Sequence, residues 1–203
     1  MKKHNVKEIK NLPDKNISID RDILESEVKL LERSMITSDV IKNWKGYIKD
    51  LLVEINKIMG VYSICSIVYT DDDKCDVEIF WLHTPSMAAS NNLKKAIIEK
   101  VKGYFTSGNL ENDAIRFIDN IVDNSVVLKE VNEKDFLLRT TSACLDTGKI
   151  CGIVGMCIHK DTLDNTIAGL VLESILITLL NVIVTVQAVD KHTKELKCYA
   201  TRD

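Results

Sequence analysis

At 203 residues, with 45% hydrophobic and 28% charged side chains, the chain has the balance of one ordinary soluble domain with helical flanks. A formal net charge of −3 argues against nucleic-acid binding, which needs a net-positive face. The polar start, MKKHNVKEIKNLPDK, lacks the apolar core of a secretory signal.

Residues 1–19 read as a flexible leader, because Pro13 and Asp14 break a helix there. From Asp20 the pattern turns helical, with Leu24, Val28, Leu31 and Met35 on one stripe. Thr37, Ser38 and Asp39 read as an N-cap. A second helix follows, carrying Ile41, Trp44, Ile48, Leu51, Ile55 and Ile58, and Gly60 is expected to end it in the left-handed conformation. The β-branched run VYSICSIVYT (61–70) and DVEIFWLH (76–83) form a predicted antiparallel hairpin. Asp71, Asp72 and Asp73 between them read as a solubilising turn rather than a cation site.

Residues 91–105 predict a helix with Leu93, Ala96, Ile97, Val101 and Tyr104 on one side. Lys94, Lys95, Lys100 and Lys102 read as its solvated face. Residues 111–123 are read as a short helix, and VVLKEV (126–131) as a weak strand or loop. A second hairpin is clearer: FLLRTTSACL (136–145) and ICGIVGMCIH (150–159) flank Asp146, Thr147, Gly148 and Lys149. After a cap between Asp161 and Asp164, a long helix runs to the end. Its apolar run, 167–189, is interrupted by Glu173, Ser174, Thr178, Asn181, Thr185 and Gln187. A charge at mid-span costs roughly 3 kcal/mol in a membrane, so a buried helix is expected instead of a span. Hairpin-paired strands bracketed by helices predict an α+β domain with an antiparallel sheet.

The hairpin TTSACLDTGKICGIVGMCI and the helix after it resemble the late hairpin and last helix of GAF/PAS-like sensor domains. That resemblance implies terminal helices on one sheet face and a ligand cavity on the other. The final QAVDKHTKELKCYATRD resembles the helical linker that leads into the GGDEF domain of bacterial diguanylate cyclases. In that family the junction continues as Asp-Pro-Leu-Thr-Gly-Leu, and the sequence here stops after the matching Asp203. No GG(D/E)EF signature occurs, so these residues are expected to be non-catalytic, with cyclic di-GMP synthesis left to a covalently linked GGDEF domain. The domains expected are the leader (1–19), the sensor (20–189) and a helical linker (190–203). The cofactor is unknown and none is required, and the expected location is the cytoplasm, without nucleic-acid or membrane partners.

Within the last helix, Leu179, Val182, Val186, Val189, Thr193, Leu196 and Ala200 are spaced 3, 4, 3, 4, 3 and 4, a heptad seam. The first half is expected to cover the sheet. The second half, on to Asp203, is expected to pair with another copy as a parallel homodimer. Two GGDEF domains of the family must meet to form an active site, which gives such a dimer a reason.

Candidate small-molecule residues are Trp81 and His83 on one face of their strand, and Cys157 and His159 on one face of theirs. The same residues also read as ordinary core with rim histidines. The six cysteines, Cys65, Cys75, Cys144, Cys151, Cys157 and Cys198, form no CxxC pair or zinc spacing and read as reduced thiols. Two alternatives stay open: a cysteine-dependent GAF-fold oxidoreductase using Cys144 and Cys151, which needs an activated thiolate, and a dimerisation module with no ligand.

Overall fold

The computed structural model describes residues 37–69, 75–104, 115–128, 131, 134–144, 150–164 and 166–200. The predicted leader and first helix, the acidic turn at 71–73, the turn at 146–149 and Asp203 lie outside the described residues.

Thr37 caps the described chain as its sequence predicts: its hydroxyl accepts the Val40 N–H at 3.3 Å. Helix α1 (Ser38–Lys42) stops at Asn43, which leaves helical geometry at ψ 40°. Helix α2 (Trp44–Ile58) then buries Ile48, Leu51, Leu52 and Ile55, one stripe at helical spacing. The chain turns extended at Met59. Gly60 is not left-handed, contrary to the sequence expectation. What requires glycine there is space, since a Cβ would sit 2.9 Å from Cγ of the His159 ring.

Strands β1 (Val61–Tyr69) and β2 (Cys75–Pro85) form the first predicted hairpin, with Ser63 opposite Trp81 and Cys65 opposite Ile79. Pro85 ends β2, and Ser86 caps helix α3 (Met87–Tyr104) by accepting the Ala89 N–H at 3.1 Å. Strand β3 (Ile115–Leu128) replaces the expected short helix over 115–123 and agrees with the weak strand expected from 126, while 111–114 and 129–130 lie outside the described residues. Strands β4 (Phe136–Cys144) and β5 (Ile150–His159) make the second predicted hairpin. A 3-10 turn, Lys160–Asp164, leads into the long helix α4 (Thr166–Ala200).

The five strands lie in the order β3-β2-β1-β5-β4. The sheet is mixed, not antiparallel as expected, because β3 runs parallel to β2. The cause is α3, which carries the chain back along the sheet and so delivers β3 in the direction of β2. The fold class, α+β with a long C-terminal helix, is as the sequence reading expected.

Both faces of the sheet are covered. On one face α2 and α4 bury Ile48, Leu52, Leu176, Leu179 and Ile183 against Ile64, Phe80 and Met156. On the other, α3 buries Ala89, Leu93 and Ile97 against Cys65, Ile79, Trp81 and Ile153. Strands buried on both faces read as continuous apolar runs, which explains why β1 and β5 alternate poorly in sequence. The packing beneath α3 is tight at Gly155, where a Cβ would lie 2.7 Å from the Cys65 sulfur.

Candidate functional site

At one end of the α3 face, two rows of side chains cross the sheet. In the inner row Ser63 stands between Trp81 on β2 and Cys157 on β5. Ser63, Trp81 and Cys157 are each no more than 1% exposed. In the outer row His83 is opposite Asp123, and His159 is opposite Phe136. The four sequence-predicted ligand residues therefore share one end of one face. Trp81 and Cys157 flank Ser63, roughly 10 Å apart at ordinary strand spacing, and both are sealed under the helix.

Trp81 is anchored by a residue the sequence reading missed. Its indole N–H donates to Asp119 Oδ1 at 2.8 Å, and Lys94 reaches the other carboxylate oxygen at 2.5 Å. Lys94 also stands 5.5 Å from the Phe117 ring centroid, so this lysine is held as well as solvated. The missed signal was one carboxylate inside the alternation Ile115, Phe117, Asp119, Ile121, legible once that stretch is read as a strand.

His83 is 26% exposed, with Nδ1 3.4 Å from Asp123 Oδ2, close enough for an ion pair yet not aligned as a hydrogen bond. Ser125 donates to Asp123 from its hydroxyl at 2.6 Å and its backbone at 2.8 Å. These bonds hold the Asp123 carboxyl below its ordinary value, with His83 adding a smaller pull. His159 takes a different position. Its ring stacks on Tyr62 at 3.9 Å between centroids and 7° between planes. Burial pushes its pKa down, while Asp161 opposes that shift.

A void of about 180 Å³ between α3 and the sheet, bordered by Cys65, Ile97, Leu138 and Ile153, does not admit a water-sized sphere. Among the described residues, this void beneath α3 is therefore too small to be the ligand cavity that the GAF-like resemblance implies on this face. An open depression of about 440 Å³ runs along α2 past Tyr47, Asp50, Leu51, Val53 and Glu54. Its described wall belongs to a single helix and brings no converging polar set.

The three described thiols lack activation. Burial raises Cys65 to about 12 and Cys75 to about 12, and pushes Cys157 well above its usual value. A thiol so placed is not the thiolate that redox catalysis uses. The side chains of Cys144, Cys151 and Cys198 lie outside the described residues. Among the described residues no cluster of histidine, cysteine and carboxylate side chains could hold a metal ion.

The candidate dimer seam is divided by the fold. Leu179 and Val182 are fully buried within this chain, and Val186 is 8% exposed. Val189 is 44% exposed. The side chains of Leu196 and Ala200 lie outside the described residues. Residues Val171–Val189 are long and apolar enough to cross a membrane, with a mean hydropathy of 1.9. In this fold, however, Leu172, Ile175, Leu176, Leu179, Leu180 and Ile183 of that stretch join the sheet core.

Helix α4 outruns the strand it covers. Gly152, near the start of β5, faces Leu180, Val184 and Gln187. Residues 188–200 continue past that point as about 20 Å of unbroken helix. No protein-family model, curated protein or solved structure matches the chain.

Proposed function

We propose that this chain is a cytoplasmic GAF-like regulatory and dimerisation domain, and that it controls cyclic di-GMP synthesis by a GGDEF domain joined beyond its last helix. The observation that carries the reading is α4, whose first part is fixed to the sheet and whose last part continues beyond β5. Such a helix transmits a rotation or shift at the sheet to whatever follows, because an α-helix is stiff along its axis. The cyclase half of the reading rests on the resemblance of QAVDKHTKELKCYATRD to the family's linker.

The small size of the void bordered by Cys65, Ile97, Leu138 and Ile153 supports a second reading of the same molecule, a dimerisation module with no small-molecule ligand. Thermal unfolding with metabolite panels separates the two, since only a ligand sensor is stabilised by one chemical class.

The test of the main reading is helical phase. In the protein carrying its downstream region, inserting two residues after Asp190 turns the output by about 200°, out of phase, whereas seven leave it within about 20° of its original direction. Cyclic di-GMP formation from GTP is expected to fall at least tenfold with the first insertion and to recover with the second. A downstream region without a GG(D/E)EF signature, or synthesis insensitive to both insertions, removes the regulatory claim.

A further inference from the structure

The inner side of α4 lies on the sheet, and between Glu173, which is exposed, and Asp190 its outer side carries no charge. From residue 174 to residue 189 the sequence SILITLLNVIVTVQAV contains no charged side chain. The part of it turned to solvent includes Ile177, 53% exposed, together with Asn181 and Ala188, with Thr178 and Thr185 half-buried beside them. A solvated helix face of roughly four turns normally carries charged residues. The two threonines have also satisfied their hydroxyls internally. Thr178 donates to the Ser174 carbonyl at 3.0 Å and Thr185 to the Asn181 carbonyl at 2.7 Å. Ile177, Asn181, Thr185 and Ala188 recur over three turns and so share one face of a straight helix.

We propose that this face of α4 docks the same face of a second copy of the chain, in parallel, with Asn181 opposite Asn181. The inference rests on the dimeric reading above and moves its contact from the heptad seam to the outer side of the helix, over the domain itself. Around a two-fold axis each central residue meets its own copy, so any charge there would meet a like charge; between residues 174 and 189 this face has none. Asparagine carries a donor and an acceptor on one side chain, and so pairs with itself. One asparagine in an otherwise apolar seam fixes register and alignment. A lipid surface fits less well, because hydrocarbon offers the Asn181 amide no partner. The stretch 177–188 spans only about 17 Å, short of the length that buries about 800 Å² per partner, as a tight interface does, so a weak, reversible dimer is expected.

The test uses Asn181→Lys in the 203-residue chain. Light scattering of the unaltered chain is expected to rise with concentration towards twice the 22.9 kDa of one copy. The lysine variant is expected to raise the dissociation constant at least tenfold, with no drop in unfolding midpoint when the two are compared as monomers. Ile177→Lys serves as the second probe, since Ile177 is also exposed, and should act in the same direction. Asn181→Ile is expected to give mixed oligomers, and an unaltered dimer in that variant overturns the register role of the asparagine. A dimer equally tight in both lysine variants overturns the outer face and leaves the dimeric reading intact. An unaltered chain that is monomeric at about 100 μM overturns both. A monomer that sediments with phosphatidylcholine–phosphatidylglycerol vesicles assigns the face to a membrane instead.

Discussion

Asp119 does two jobs with one carboxylate. It accepts the indole N–H of the fully buried Trp81 and pairs with Lys94. The ion pair is partly solvated and contributes little, since surface pairs are screened. The indole bond is different, because a buried donor left without an acceptor costs about 1–3 kcal/mol. Asp119→Ala is therefore expected to lower stability by about 2 kcal/mol, read as a lower urea midpoint. Asp119→Asn retains an acceptor and is expected to lose less than about 1 kcal/mol. Equal losses in both variants would mean that the Lys94 charge, not the indole bond, dominates. Gly155 and Gly60 follow the same logic of space: each lets a neighbour, Cys65 or His159, occupy the volume of a missing Cβ.

At the scale of elements, α4 has two unlike sides. Its inner side includes Leu179 and Ile183 in the sheet core, and Val186 is buried at 8% exposure. Val186→Asp would place an unpaired charge in that burial, a cost of several kcal/mol. The expected outcome is a loss of more than about 3 kcal/mol in a urea titration, visible as lost helical signal, rather than a clean folded monomer. A folded monomer with an unchanged midpoint would return Val186 to the dimer seam. The heptad spacing from Leu179 is legible in sequence, yet spacing cannot say whether a stripe meets a sheet or a partner, since both demand the same apolar period. Strand β3 was misread for a related reason. Its stretch holds Asp119, Asn120, Asp123, Asn124 and Ser125, residues that disfavour strands by propensity. Pairing with β2 overrides that preference, including the Arg116–Asp76 bidentate contact across the parallel pair.

On the scale of the whole molecule, one junction ties distant segments together. The Gly60 carbonyl accepts the His159 N–H at 3.0 Å and the Thr162 hydroxyl at 3.4 Å, joining the end of α2 to the end of β5 and the approach to α4. His159 sits in this junction against Tyr62, and burial lowers its pKa. The sign of the pH dependence follows. Above the ordinary value of 6.5 neither state holds the proton. As pH falls through 6.5, the unfolded chain takes up a proton first, so stability declines until the folded ring also protonates. His159→Asn is expected to flatten the loss of thermal stability between about pH 7 and about pH 5.5. An unchanged slope in the variant would place that titration on other groups.

The sequence by itself determined the α+β class, both hairpins, the Thr37 cap, α2, α3 and the long last helix. Each of these is written in local terms: an apolar period, a capping hydroxyl, or a turn between β-branched runs. Only the tertiary structure decided the parallel entry of β3, the packing of α3 on the second sheet face, the bond from Trp81 to Asp119, and the burial of Leu179, Val182 and Val186 within one chain. All four depend on which surface an element meets across the fold, and hydrophobic burial is non-directional: it selects a stripe without naming what will cover it.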